Sequence, residues 1–500
     1  MAMRLNTDEL LIALSFLGQA DIINVMCTCH ALHKLGLPVL LGSPIKLDKK
    51  KTFKTFAAFI SKEVQRYGPL LRDITISGIA RDPRTPGSRA RFDLDTPLAA
   101  IIQHSTNLHT LEMNSILAMH HYPKFMHSLV MLPSTLRKLT LHFSNWCYPL
   151  LADSLKESSW SLTHLSIHYY RPNYDEVVDI LITLSRFSAT LESLVLTDIP
   201  ISKRLDRAGG TLVFPRLKSL DIVNLLFHHH VPAPELVSLF PHLRRLSILA
   251  PHYSPSVSRD FLINSANAEE FRVLNDRVTR KDNLWTHLDY LSSSLATLYG
   301  LGLKSPVAVL DLGSSLSQGS LEGDPQITQL QSLILECRPQ ALRVIISFPL
   351  APEHFQVFRN MLRESPQLSH ISYRLSPAFS ANLNVTRVSM TEAEITEIRG
   401  MTDMLIAMHE GLSSLSCIHI TWSFPLAMMG NILMSKSRGP DFVERLINAC
   451  PALCYYCVEW DNDKSFFESI STPEGRMAKP SEPEAWGQHD VFARHRRVVH

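Results

Sequence analysis

A six-residue pattern, apolar at its first, fourth and sixth positions, recurs along much of this chain. Its most regular copies begin at six leucines: Leu108, Leu136, Leu162, Leu191, Leu217 and Leu243. These first positions are separated by 28, 26, 29, 26 and 26 residues. Side chains of a strand alternate between its two faces, so positions 4 and 6 point inward together while position 1 anchors the incoming turn. The pattern therefore predicts one short strand in each copy.

Less regular copies occur before and after this stretch. They read Leu71-Ile74-Ile76, Leu342-Ile345, Leu368-Ile371-Tyr373, Leu415-Ile418-Ile420 and Leu453-Tyr456-Val458. Between the strands lie amphipathic segments, such as residues 174–181, that predict helices. A single strand and helix cannot bury their apolar edge, but neighbouring units stacked together form a continuous core.

The strand segment and its period resemble those of leucine-rich repeats. This resemblance implies an irregular solenoid, or horseshoe, with the strands on its concave side. In the middle repeats, residues of mixed charge and size occupy the expected concave positions, which favours the binding of a protein or peptide. These residues are Arg137, Lys138, Thr140, Thr163, His164, Ser166, Glu192, Ser193, Val195, Lys218, Ser219, Asp221, Arg244, Arg245 and Ser247.

The first 40 residues have a different, helical periodicity. Asn6 followed by Glu9 forms a capping-box pattern, and Leu10, Leu14 and Leu17 then make one apolar stripe up to Gly18. A second helix is expected near Asp21, with Ile22, Val25, Met26 and Cys29 as its stripe. A third short helical piece carries Leu32, Leu35 and Leu37 and ends before Pro38. Three helices of this size bury little apolar surface alone and need a partner or a neighbouring domain.

This N-terminal succession resembles an F-box. The residues that carry the resemblance are Leu5, Asp8-Glu9-Leu10-Leu11, Leu14-Ser15-Phe16-Leu17, Asp21-Ile22 and Cys29-His30-Ala31-Leu32. The succession looks particularly like the fungal F-box-like proteins in which a leucine-rich region follows. These proteins often have a Phe-containing helix after the box, which the segment with Phe53, Phe56 and Phe59 resembles. The resemblance implies docking on a Skp-type adaptor, and through it on a cullin, by the apolar residues Leu5, Leu10, Leu14, Leu17, Ile22 and Val25.

Composition narrows the range of functions. The chain is 45% hydrophobic and 19% charged, which is typical of globular proteins. Its net charge of +2 gives no electrostatic indication of nucleic acid or of an anionic membrane as a partner. Asp8 and Glu9 interrupt the first apolar run, so we expect no export signal. Eight cysteines in 500 residues do not indicate a disulfide scaffold, and we expect a cytoplasmic or nuclear protein.

Two clusters could carry metal chemistry. Cys450, Cys454 and Cys457 have the spacing of an iron–sulfur loop, but the repeat register directs Cys457 away from the inward positions. The run His228-His229-His230, with His242 and His252 downstream, fits a surface loop better, since no Cys or carboxylate lies at ligand spacing. We therefore expect no metal, no cofactor and no enzymatic activity.

Interruptions of the pattern complete the predicted organisation. Residues 80–96 and 305–325 are expected to be loops, and residues 377–414 an insertion with one helix that begins near Thr391 and ends near Glu410. The predicted fold is α/β, with a three-helix F-box-like head (1–42), an irregular leucine-rich-repeat solenoid (43–460) and a partly ordered tail (461–500).

Two functions follow from this organisation. In the first, the chain is the substrate-recognition subunit of a Skp-cullin-F-box ubiquitin ligase, whose repeats bind an unknown target protein. In the second, it is a leucine-rich-repeat scaffold whose N-terminal helices only cap the array.

Overall fold

The structure is a computed structural model that describes residues 6–77, 95–117, 123–132, 134–144, 148–170, 180–197, 212–223, 233–249, 268–278, 285–312, 324–348, 352–377, 392–422 and 440–460. The fold is α/β, with parallel strands that alternate with helices. Two compact units make up the chain, Met1–His228 and His229–His500. The predicted tail, 461–500, lies outside the described residues.

The first unit begins with three helices, which we call the head: α1 (Thr7–Ser15), α2 (Gln19–Met26) and α3 (His30–Gly42). The predicted capping box is confirmed, since the Asn6 side chain accepts from the Glu9 amide and the Glu9 carboxylate accepts from the Asn6 amide, each at 2.8 Å. Two expected positions are wrong. Gly18 precedes α2 with an ordinary φ of −67° instead of ending α1, and Cys29 is the exposed residue before α3.

The predicted end of the third helix at Pro38 is also wrong, because α3 continues through Pro38 to Gly42. A proline removes one helical N–H and normally ends a helix. Here Leu37 and Leu41 are buried on either side of it, and this packing holds the last turn in place.

The rest of the first unit alternates strands and helices. Its elements are β1 (Ile45–Leu47), α4 (Lys50–Lys62), α5 (Val64–Tyr67), β2 (Asp73–Ile76), α6 (Asp95–His104), β3 (Thr110–Leu117), α7 (Pro123–Val130), β4 (Lys138–Ser144), α8 (Tyr148–Glu157), β5 (His164–Tyr170), α9 (Ile180–Thr183), β6 (Ser193–Thr197) and β7 (Ser219–Val223). Two 3-10 turns, Gly68–Leu70 and Leu184–Phe187, complete them.

The second unit has the same alternation. Its elements are α10 (Ala233–Leu239), β8 (Arg245–Leu249), α11 (Ala268–Val278), β9 (Leu288–Ser293), α12 (Leu295–Leu301), β10 (Val307–Asp311), α13 (Asp324–Cys337), β11 (Ala341–Phe348), α14 (Pro352–Arg363), β12 (His370–Pro377), α15 (Glu392–His409), β13 (Cys417–Trp422), α16 (Pro440–Ala449) and β14 (Tyr455–Trp460).

Within each unit every strand pairs in parallel with its neighbours in the sequence. The fourth position of the pattern therefore forms one continuous row across each sheet. In the first unit this row is Ile74, Leu111, Leu139, Leu165, Leu194 and Leu220. In the second unit it is Leu246, Leu291, Leu310, Leu342, Ile371, Ile418 and Tyr456.

Apolar burial and backbone hydrogen bonds explain why each copy of the pattern forms a strand. All the residues of the two rows are buried. At position 2 the amide of one copy of the pattern donates a hydrogen bond to the position 2 carbonyl of the preceding copy. Examples are Thr163 to Arg137, Glu192 to Thr163 and Lys218 to Glu192, each at 2.8 Å. The predicted strands after Leu136, Leu162, Leu191 and Leu217 are thus confirmed.

The structure corrects the prediction between residues 285 and 346. Strand β9 was not predicted, and β10 lies within the expected loop 305–325. Leu342 pairs with Ile371 and so occupies position 4, not position 1. In β9 and β11 the pattern was hidden, because Ser293 and Pro339 stand at positions that are aliphatic or aromatic in the other copies. β10 keeps Val307, Leu310 and Leu312, but the Ser and Gly content of residues 305–325 led to the expectation of a loop.

After the head, two helices agree with the prediction. Helix α4 buries Phe53, Ala57 and Ile60, and α15 ends at His409, close to the predicted Glu410. Most of the predicted helix 174–181 lies outside the described residues, which begin again with α9. None of the helices in the described ranges combines the length and the apolar character that a bilayer crossing needs.

Candidate docking and recognition surfaces

The first candidate surface lies on the head, and its core explains which side chains are left outside. Helices α1 and α2 both pack on α3. The α2–α3 contact is tight, because a Cβ atom added to Gly36 would lie 2.4 Å from Cγ of Met26. Residues of α1 and α2 that face α3 are therefore unavailable to a partner.

The structure separates the six residues expected to bind an adaptor. Leu14 and Ile22 are only 3% and 1% exposed, because they form the core of the head. Leu10 and Val25 are half-buried, and Leu17 is 39% exposed. Leu5 lies outside the described residues. Only part of the predicted set is therefore accessible.

Other apolar side chains of the head point to solvent. Phe16 is 84% exposed, Ile12 60% and Ile23 47%. Ile12 and Phe16 are four residues apart, so they lie on the same side of α1 and its terminal turn. Ile12, Phe16, Ile23 and Leu17 are four of the nine large hydrophobic side chains that are exposed in the described ranges. We call Ile12, Phe16, Leu17 and Ile23 the exposed apolar group of the head.

The second candidate surface is the face of each sheet opposite to the buried rows, formed by positions 3, 5 and 7 of the pattern. In the first unit this strand face is charged and polar. Nζ of Lys138 lies 2.6 Å from Oε1 of Glu112, whose other oxygen accepts a hydrogen bond from Thr75. At the start of the next strands, Nζ of Lys218 lies 3.2 Å from Oε2 of Glu192. Each of these carboxylates thus has a lysine partner.

Most of the residues expected on the concave face are exposed or half-buried, but four are not. Thr140, Asp221, Arg245 and Ser247 are buried. For Arg245 the cause is visible, because its guanidinium lies 4.4 Å from the centre of the Tyr290 ring. The expectation that all these positions are open to a partner is therefore wrong at these four residues.

Histidines concentrate on the strand face of β4 and β5. The rings of His142 and His168 stack with their centroids 4.0 Å apart and their planes 20° apart. Nε2 of His168 and Oγ of Ser166 are 2.7 Å apart, and Nδ1 of His164 is 2.9 Å from Oγ1 of Thr163. We call His142, His164 and His168 the histidine surface.

The environment of the histidine surface disfavours imidazolium. Burial lowers the pKa of His142 and, together with the charge of a protonated His142, lowers the pKa of His168 to about 4. Burial and the Lys138 ammonium also lower the pKa of His164, against a smaller opposite effect of Glu192. All three rings are thus neutral at pH 7. Sequence reasoning missed His142 and His168 because it considered positions 3 and 5 but not position 7.

In the second unit the strand face carries a buried polar cluster on β8 to β11. The Tyr290 hydroxyl donates to Oδ2 of Asp311 at 2.9 Å, and Nη1 of Arg343 lies 3.8 Å from the same oxygen. Burial and the Asp311 carboxylate raise the pKa of the Tyr290 phenol. Arg245, Tyr290, Asp311 and Arg343 are all buried. Three of these residues lie on β9 to β11, where the strand pattern was not recognised or was placed in the wrong register.

The cysteines and histidines with possible ligand spacing do not form a metal site where they are described. Cys450 is buried and its thiol donates to the carbonyl of His409, whereas Cys454 is exposed. His228, His229, His230 and His252 lie outside the described residues. Within the described ranges, no group of three His, Cys, Asp or Glu side chains has a geometry that could hold a metal ion.

A scan against protein-family models finds no match to this chain, and a search of the curated proteins finds no similar sequence.

Proposed function

We propose that this chain is the substrate-recognition subunit of a ubiquitin ligase of the Skp-cullin-F-box type. The head docks a Skp-type adaptor, the strand–helix units form a leucine-rich-repeat solenoid, and the strand face binds a target protein. The chain itself performs no bond chemistry. The observation that carries the proposal is the exposed apolar group on α1, the turn after it and α2, in a three-helix head whose sequence resembles an F-box.

Free energy supports a docking role for this group. An exposed Phe and two exposed Ile side chains gain nothing for the fold, whereas burying one such side chain at an interface contributes about 1.5–3 kcal/mol. Several large apolar side chains exposed on one small part of a protein are typical of interaction sites. The exposed charges on α1 and on the first turn of α2, Asp8, Glu9 and Asp21, are all acidic. These charges favour an adaptor surface on which basic or neutral groups surround the apolar part.

Direct titration tests the proposal. The full-length chain is titrated with a Skp-type adaptor from the same source in a calorimeter. We expect a Kd of micromolar or below, about −8 kcal/mol or better. The variant Phe16→Ala should weaken binding by about tenfold or more, because large aromatic side chains dominate docking surfaces.

The control is Met131→Ala. Met131 is as exposed as Ile12 but lies after α7, outside the head, so this variant should bind like the wild type. Leu14→Asp is a poorer test, because Leu14 is buried and its replacement disrupts the head itself. If the folded chain binds no adaptor at all, the scaffold function, in which the head only caps the array, is the better description.

A further inference from the structure

The histidine surface lies on adjacent parallel strands of the first unit and has no role in adaptor docking. His142 and His168 occupy position 7 of β4 and β5 and pair directly in the sheet register. His164 occupies position 3 of β5, on the same face. The stacked pair and, four residues earlier on β5, His164 thus lie on the face that the proposed function assigns to target binding.

The charged groups around these rings are known from their contacts. On β3 and β4, Glu112 is paired with Lys138, and at the start of β6 and β7, Glu192 is paired with Lys218. Lys138 disfavours protonation of His164, while Glu192 favours it to a smaller extent. His168 senses the charge of His142 in addition to its own burial. The two carboxylates of this group are therefore engaged by lysines rather than by the imidazoles.

The stacked pair can readily hold one proton but not two. Two imidazolium rings 4.0 Å apart would repel each other in a partly buried site. A single proton shared by the pair, however, creates one positive charge that a carboxylate could neutralise. Binding a carboxylate and a proton together at this site costs less free energy than binding either one alone, because each charge then has a partner where water is largely excluded.

We propose that the histidine surface binds a carboxylate side chain of an acidic segment in the partner protein, and that the stacked pair His142–His168 takes up one proton as that segment binds. This inference rests on the target-binding part of the proposed function and is independent of adaptor docking. A metal ion fits the pair less well, because parallel stacked rings direct their nitrogen lone pairs side by side instead of toward one point.

Proton uptake makes binding dependent on pH. Since binding and protonation are reciprocal, a carboxylate that favours the imidazolium must raise the pKa of the pair, and acid must strengthen carboxylate binding. Glutamate side chains remain largely ionised at pH 5.5, because their usual pKa is about 4.3. The affinity for an acidic peptide should therefore rise at least tenfold between pH 7.5 and pH 5.5, below the hundredfold limit that uptake of a full proton across both pH units would set.

The test uses the full-length chain and a peptide of ten glutamates, titrated at both pH values in 0.15 M salt. We expect the tenfold change for the wild type and for the control His127→Asn, whose exposed ring lies on α7. The double variant H142N/H168N should bind with nearly the same affinity at both pH values. An unchanged pH dependence in the double variant, or no binding by the wild type at pH 5.5, would overturn the proposal.

A second measurement needs no variant. The ring protons of His142 and His168 are followed by NMR as a function of pH, with and without the glutamate peptide. The peptide should raise the pKa of the pair by more than one unit, because a shift of one unit limits the change in affinity to tenfold. An unchanged pKa would also overturn the proposal. The double variant H142N/H168N should bind the adaptor with wild-type affinity. Failure of the carboxylate-binding proposal is therefore distinguishable from failure of adaptor docking.

Discussion

Gly68 lies where the backbone of His104, the last residue of α6, approaches it so closely that no side chain fits. A Cβ atom at this position would be 2.6 Å from the carbonyl oxygen of His104 and 2.9 Å from its carbonyl carbon. These are backbone atoms, so they cannot rotate away as a side chain can. Gly400, within α15, is the opposite case, because a Cβ atom there would meet nothing within 4 Å.

The two glycines give a matched pair of substitutions. Gly68→Ala should destabilise the chain by about 1–3 kcal/mol, because the overpacked backbone must shift. Gly400→Ala should stabilise it by about 0.5–1 kcal/mol, because alanine restricts the unfolded chain and favours a helix. Urea midpoints of the two variants and the wild type measure both effects. A Gly68→Ala variant as stable as the wild type would mean that the contact with His104 is easily relaxed.

At the same scale, the head shows what a stripe of apolar residues can and cannot predict. The spacing of Leu10 and Leu14 correctly indicated a helix, since it depends only on the helical period, but Leu17 lies beyond the end of α1. The spacing could not indicate which residues face α3 and which face solvent. That choice depends on the packing of α3, and it buries Leu14 while leaving Phe16 exposed.

Among the elements, β12 and α15 are joined by a buried hydrogen bond between titratable groups. Nδ1 of His409 is 2.6 Å from the Leu405 carbonyl, which can only accept, so Nδ1 carries the proton. Nε2 then accepts from the Tyr373 hydroxyl at 2.8 Å. Burial lowers the pKa of His409 to about 4, although its bond to Leu405 opposes this shift. The neutral ring is thus part of the core.

This pKa predicts a loss of stability in acid. Between pH 6.5 and 4 the unfolded chain binds a proton at His409 that the folded chain does not, so stability falls as the pH falls through this window. The shift corresponds to about 3 kcal/mol in total. His409→Gln should lower stability at pH 7 but lose less of it on acidification, as measured by urea unfolding from pH 7 to pH 4.5.

The exposed His33 provides the control, and His33→Gln should follow the wild-type curve. The pKa of His168 is also lowered, so this residue adds to the fall of stability with acid in the wild type and in both variants. A curve for His409→Gln that stays parallel to the wild-type curve would contradict the assigned role of this ring.

The elements also show where the sequence was sufficient and where it was not. Most strands with three apolar positions were predicted, because burial of those three side chains is the main requirement for forming each strand. β9 was missed, because Ser293 replaces the last apolar residue, and its hydroxyl donates to the Ile248 carbonyl instead. The polar cluster of Tyr290, Asp311 and Arg343 was missed with it, because its residues can be grouped only when the register of β9 to β11 is known.

For the whole molecule, strict pairing of each strand with its sequence neighbours makes stability local. In each unit a strand–helix element contacts mainly the elements before and after it, so cooperativity is transmitted from neighbour to neighbour. Damage to one strand should be felt most by the adjacent ones. Local opening of this kind is measured by amide hydrogen exchange.

Leu194→Ala tests this locality. Leu194 is fully buried in β6, and its truncation should cost about 2–5 kcal/mol. Hydrogen exchange should accelerate most in β5, β6 and β7 and least in β1 and β2, at the other end of the sheet in the same unit. The control Val195→Ala, at the next residue but on the opposite face, should cost much less. Equal acceleration in all strands would show that the array unfolds as one unit.

The regular spacing of parallel strands also sets a length scale for recognition. Neighbouring strands lie about 4.8 Å apart, so the six steps from β1 to β7 cover about 29 Å along the sheet. An extended peptide rises about 3.3 Å per residue, so a segment that crosses these strands contains about nine residues. A stretch of about this length, with a carboxylate positioned to meet β4 and β5, is therefore the form of bound segment that would match this sheet.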